Sequence, residues 1–163
     1  MEAYLIATAC TKFEKKADQT FKSLTEEVYC DLLKSAKVEK GNMIGQAWFG
    51  NCGMGTFGQN NIRGQVCFTP LVQKKLFPER VGIINVEGGC ATGSMAFHGA
   101  WKDIISGTED VSLAIGVEKI YQPNQPEKIQ EIYDGGIDQF DRNEWLEFYA
   151  VSYTHLTLPT IYS

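Results

Sequence analysis

Apolar residues fall into short runs along this chain, separated by glycines and polar stretches, and the runs alternate between two periods. Ala3 to Ala9 is apolar nearly throughout and predicts a buried first strand. Leu24, Val28, Leu32 and Ala36 then recur every four residues, the spacing of one helical face. Ser23-Leu-Thr-Glu26 has the capping-box pattern that would open this helix, and Gly41 is positioned to stop it. Met43 to Phe49 predicts a second strand, followed by a glycine-rich loop from Gly50 to Gly58. Asn61 to Leu76 predicts helix in part, interrupted near Pro70. Arg80 to Val86 predicts a third strand, Cys90 to Ser106 a second long helix ending at Gly107, and Val111 to Val117 a fourth strand. Strands that are apolar on both sides, alternating with helices, indicate an α/β fold. Its sheet would be parallel and covered by helices on both faces.

The second long helix has no charged residue until Lys102, and Ala91, Gly93, Ser94, Ala96, Gly99 and Ala100 are all small. A helix without a polar face is expected to be buried on every side. Cys90 stands at its start, after Glu87-Gly88-Gly89. A cysteine at a helix N-terminus faces unpaired backbone N–H groups and the positive end of the macrodipole. Both favour thiolate, the nucleophilic form, so strand, glycine turn, cysteine and helix together point to covalent catalysis through sulfur.

The chain has 163 residues, enough for one domain with a core, and a formal charge of −5. That charge, with no Lys/Arg stripe, argues against a nucleic-acid surface. The five cysteines, at 10, 30, 52, 67 and 90, contain no Cys-x-x-Cys pair and give no zinc pattern. Their odd number and wide spacing fit free thiols in a reducing, cytoplasmic compartment better than a disulfide scaffold. The N-terminus has no basic region ahead of its short apolar run, so it reads as a strand rather than a leader. No stretch is long enough to span a bilayer. From Val151 to Ser163 the character changes to an uncharged segment that resembles translated sequencing-adapter read-through. Residues 1–150 are therefore expected to be the domain, a partial one, and 151–163 a non-native tail.

Val86-Glu-Gly-Gly-Cys90-Ala-Thr-Gly-Ser-Met-Ala and Ile105-Ser-Gly-Thr-Glu-Asp-Val-Ser-Leu-Ala-Ile-Gly-Val-Glu118 resemble the thiolase superfamily. Thr11-Lys-Phe13 adds a likeness to its sterol-carrier or lipid-transfer branch, often named acetyl-CoA acetyltransferase. The resemblance covers about residues 2 to 150 and is to the N-terminal half. It implies an incomplete thiolase-like βαβαβ unit with a mixed or parallel sheet. A full protein would have two such halves and usually dimerise. It further implies Cys90 as the nucleophile toward an acyl-CoA thioester, with Gly88 and Gly89 as oxyanion and turn support. CoA thioester enters as substrate, and neither a metal nor another cofactor is implied. The family takes a second cysteine and histidines from its C-terminal half. Here the histidines are His98, about 12 Å along the helix from Cys90, and His155 in the tail. The chain alone is therefore expected to be inactive, and to aggregate where sheet edges and an apolar face stay uncovered.

Two other readings stand beside this one. A non-catalytic acyl-lipid-binding or partner subunit could keep the fold without the chemistry. Gly53-Met-Gly-Thr-Phe-Gly58 satisfies a dinucleotide-binding spacing after a strand, which would suit an NAD(P)-dependent oxidoreductase. Against that reading, Gln59-Asn60-Asn61 delay the helix and Pro70 disturbs it. Asp138, Asp141, Glu144 and Glu147 read as a solvated helical face rather than a metal site. Cys10, Cys30, Cys52 and Cys67 read as small buried residues, with Cys52 distinguished by its place in the glycine loop. Trp48, Trp101 and Trp145 read as packing residues.

Overall fold

The computed structural model describes residues 2–140. Its elements run α1 (Phe21–Ala36), β1 (Gln46–Gly50), a 3₁₀ turn (Gly53–Phe57), α2 (Arg63–Gln73), β2 (Gly82–Val86), a second 3₁₀ turn (Gly89–Ala91), α3 (Thr92–Ser106), β3 (Ser112–Gly116) and α4 (Lys128–Asp134). The three strands form one parallel sheet in the order β2-β1-β3.

Alternation along β1 assigns the helices to faces. Ala47 and Phe49 point to the side of α1 and α2, where Gly64 of α2 lies so close to Phe49 that a Cβ there would stand 2.7 Å from the Phe49 Cβ. Trp48 and Gly50 point to the side of α3, where Gly99 lies against the Trp48 indole and Thr92 against Gly50. The Trp48 indole N–H donates to Asp103 at 2.7 Å, and the Ser112 hydroxyl donates to the same carboxylate oxygen, tying α3 to both β1 and β3. The α/β sandwich with helices on both faces is thus present. Its core centres on Tyr29, Phe49, Phe68, Leu71 and Phe77. Phe68 and Phe77 meet edge-on at 4.5 Å between centroids, and Tyr29 reaches both.

Several elements differ from expectation. Residues 3–9 form no strand, and Leu5 and Ile6 are each 69% exposed. They run beside the open edge of β3 across a cavity of about 540 Å³ that Val28, Leu32, Phe97 and Trp101 help to line. The run is apolar enough for a strand, but no described backbone pairs with it. Helix α1 starts earlier than Ser23. Thr20 caps it, and Thr20 and Ser23 exchange the two capping-box hydrogen bonds at 3.1 and 2.8 Å. Phe21, packed against Phe57 at 5.8 Å, anchors the added turn. The helix ends at Lys37, in the left-handed region at φ 58°, with the Val38 N–H returning to Leu33 O. Gly41 instead serves packing: its N–H donates to Leu76 O, and a Cβ there would run into the Tyr29 hydroxyl. Pro70 does not interrupt α2, which burial of Gly64, Cys67, Phe68 and Leu71 holds through the missing donor. Gly107, at φ 72°, does stop α3 as expected.

Helix α3 and strand β2 are less fully buried than their uncharged, apolar sequences predict. Thr92, Ala96, Gly99 and Ala100 are buried, yet Met95, Phe97 and Trp101 on the other side are exposed, Phe97 by 55%. Strand β2 is an edge strand with Ile84 exposed. Both carry apolar surface that no described element covers. Helix α4 was not foreseen; its Ile132 packs toward Gly53. Asp141, Glu144, Trp145, Glu147 and the whole 151–163 tail with His155 lie outside the described residues.

Candidate active site

Because β1 pairs in register with both neighbours, Gly50, Val86 and Gly116 end at one level. The loops that leave them meet at the carboxyl edge of the sheet, where open α/β folds gather their functional groups. Asn51 and Cys52 follow β1, Glu87 to Cys90 follow β2, and Val117 and Glu118 follow β3.

Cys90 sits in the 3₁₀ turn that leads into α3, and it is exposed. Gly89 adopts φ 58°, a conformation that costs a side-chain-bearing residue energy and glycine almost none. Thr92 holds the turn. Its hydroxyl accepts the Gly88 N–H at 2.9 Å, donates to Gly89 O at 2.8 Å, and lies 2.9 Å from Cys52 Sγ. The Gly89 N–H donates to the Glu87 carboxylate at 2.7 Å. Gly88 and Gly89 therefore shape the turn, while their N–H groups are engaged by Thr92 and Glu87.

Cys52 approaches from the neighbouring loop. Its thiol donates to Gly89 O at 3.1 Å and lies 3.7 Å from Glu87. Burial, ahead of the nearby Glu118 and Glu87 charges, raises its pKa, although the Thr92 hydroxyl pulls the other way. Glu118 closes the rim. Its carboxylate accepts the Cys52 N–H and also the Gly53 N–H at 3.1 Å. Burial raises the Glu118 pKa against those hydrogen bonds and the Arg63 charge. Arg63 donates to Asn51 O at 2.6 Å, and the buried Asn51 amide donates to Val117 O at 2.7 Å, which locks the loops after β1 and β3 together.

Of the residues singled out from sequence, Cys90, Gly88, Gly89 and Cys52 are brought together. His98 is not: it lies on the exposed side of α3, stacked on Trp101 at 5.4 Å. The glycine loop does not form a phosphate cradle. Its first N–H groups are taken by Glu118, and α2 begins only after Ile62 in a left-handed conformation. Thr92 and Glu118 were missed as site residues. The signal available for both was position: each stands just past the carboxyl end of a strand or its turn. Among the described residues no group of three His, Cys, Asp or Glu is placed to hold a metal ion. No described helix is long and apolar enough to cross a membrane.

The described residues thus form a parallel α/β sheet that presents an exposed cysteine on a glycine turn just before a helix. The thiolase N-terminal domain family matches residues 3–143, a span that includes Cys90, and the chain belongs to that family. It is 32% identical over 117 residues to the benzoylsuccinyl-CoA thiolase subunit BbsB of Thauera aromatica, covering 72% of this chain and 28% of that protein. It is 31% identical over 117 residues to an acetyl-CoA acetyltransferase of Methanocaldococcus jannaschii, covering 71% of this chain and 28% of that protein. The chain thus spans about 28% of the length of the curated relatives it matches.

Proposed function

We propose that this chain is the nucleophile-bearing part of a thiolase-type acyl-CoA C-acyltransferase of the acetyl-CoA acetyltransferase kind. The observation that carries the reading is Cys90, exposed on a turn pinned by Thr92 at the carboxyl edge of the sheet. In this reading the Cys90 sulfur attacks the thioester carbonyl of an acyl-CoA. CoA leaves as its thiol, and an acyl-thioester remains on the cysteine. The Cys90 N–H, in the turn that leads into α3, supplies one oxyanion donor. Gly88 and Gly89 support the turn, and Gly89 becomes a second donor only if substrate displaces Glu87. Acid and base groups are expected from elsewhere in the parent protein, so this stretch alone would be inactive. The parent would be a cytoplasmic homodimer using CoA thioesters and no other cofactor.

Acetyl-CoA incubation of the full-length parent followed by intact-mass measurement tests this. An acetyl adduct that disappears in Cys90→Ala is expected; an adduct of equal yield in that variant, or none in either, would overturn the reading.

One observation favours a second reading. A relative at 32% identity is named as a subunit, which suits a chain that works only with a partner. Under that reading Cys90→Ala leaves partner capture intact and acyl transfer depends on the partner's addition.

A further inference from the structure

The loop after β1 brings a second thiol to the nucleophile turn, and the proposed acyl-transfer chemistry gives it no role. Cys52 Sγ lies 3.1 Å from the carbonyl oxygen of Gly89, the residue bonded to Cys90. Standard peptide dimensions put that oxygen about 2.8 Å from the Cys90 Cα, so the Cys52 sulfur is within about 6 Å of it. A disulfide needs the two sulfurs about 2.0 Å apart, so the exposed Cys90 side chain must rotate toward Cys52 and the turn must close in by about 1–2 Å. The remaining adjustment falls on Gly88 and Gly89, which are exposed and free of side chains. We propose that Cys52 and Cys90 form a modification site, an intramolecular disulfide produced by small hydroperoxides.

The roles follow from exposure. Cys90 is exposed and meets the oxidant first. Its sulfur attacks one peroxide oxygen, the O–O bond breaks, and Cys90 becomes a sulfenic acid as the first water leaves. The Cys52 sulfur then attacks the Cys90 sulfur, the S–OH bond breaks, and a second water leaves with the Cys52 proton. Two thiols are oxidised by two electrons in total and one hydrogen peroxide is reduced to two waters. The half-buried Cys52 is the resolving thiol, shielded from the oxidant yet touching the turn. Cys67 is buried against Met54 at 3.8 Å and Cys30 lies on α1, while Cys10, exposed rather than buried as expected, turns its thiol to Thr11 O and is not held against the Cys90 turn. Closing the bond would cap Cys90, protect it from irreversible oxidation and pull Cys52 away from the Thr92 hydroxyl.

The inference stands apart from the acyl-transfer reading, because its readout is a covalent bond rather than turnover. Reduced full-length protein is treated with hydrogen peroxide, blocked with iodoacetamide, digested without reductant and mapped by mass spectrometry. The expected result is a peptide pair joining Cys52 to Cys90, lighter by two hydrogens and separated by dithiothreitol. Cys52→Ser is expected to abolish it and to raise the share of Cys90 recovered as sulfinic acid. Cys67→Ser should leave it unchanged. Recovery of wild-type Cys52 as carbamidomethyl-cysteine beside an oxidised Cys90 overturns the proposal, whether or not the Cys52→Ser variant folds. A failed acetyl-adduct experiment with an intact cross-link would sink the enzymatic reading alone.

Discussion

Replacing Gly99 by alanine sets two effects of known sign against each other. Gly99 lies inside α3, where alanine is favoured over glycine by about 0.5–1 kcal/mol. The same position faces β1, and a Cβ there would stand 2.5–2.6 Å from Trp48 ring carbons, well inside contact distance. The indole cannot retreat freely, because its N–H is bonded to Asp103 at 2.7 Å and Asp103 is also held by Ser112. Overpacking of this kind costs about 1–3 kcal/mol, and weakening a hydrogen bond to a charged acceptor costs about 1 kcal/mol more. Subtracting the helix gain leaves Gly99→Ala less stable by about 2 kcal/mol. Urea unfolding of matched wild-type and variant proteins, followed by tryptophan fluorescence, measures it. The midpoint should fall with an unchanged slope, and Trp48→Phe in the same background should recover a large part of the loss through a favourable coupling. A variant as stable as wild type, or more stable, would show that helix propensity wins and that α3 is not locked against β1.

Thr92→Val keeps shape but removes the hydroxyl that bonds Gly88 N–H and Gly89 O. At about 1 kcal/mol for each bond, stability should drop by about 2 kcal/mol, and Thr92→Ser should restore most of it. An unchanged melting temperature and iodoacetamide rate at Cys90 would remove Thr92 as the turn's anchor. Glu118 has its folded pKa raised by burial, so its protonated form favours folding. That contribution is full below the ordinary value of 4.5 and is lost as pH rises through the folded pKa. The melting temperature of Glu118→Gln, relative to wild type, should therefore rise from acid toward neutral pH, and a flat difference refutes the assignment.

The three paired strands and the glycine turn that carries Cys90 were legible because their signals are local. Each strand is a short apolar run bounded by glycine or polar residues, and Cys90 is adjacent in sequence to the strand, turn and helix that present it. Residues 3–9 show what such a run lacks: hydrophobicity reports a wish to be covered, not a pairing partner. The start of α1 was displaced because Thr20/Ser23 and Ser23/Glu26 are both plausible boxes, and the packing of Phe21 on Phe57 decides between them. The end was displaced because Gly41 is needed for the Tyr29 contact, while Lys37 takes the left-handed cap. The uncharged face of α3 predicts burial, but periodicity does not say which element would cover it. Cys52, Thr92 and Glu118 become neighbours only when three strands end side by side, so their meeting was hidden in the register.

That register also sets where the chain tolerates changes in length. Gln46–Gly50 is matched residue for residue with both Gly82–Val86 and Ser112–Gly116. Deleting one residue within β1 would exchange the inward and outward side chains at two interfaces at once. It would also draw Asn51 and Cys52 back by about 3.3 Å. The same deletion in the turn around Pro123–Gln125, on the exposed stretch before α4, alters only loop closure, whose entropy varies slowly with length. Gaps and insertions among relatives should therefore be absent from 46–50 and gather in the connections, leaving unchanged the level at which the three strands end.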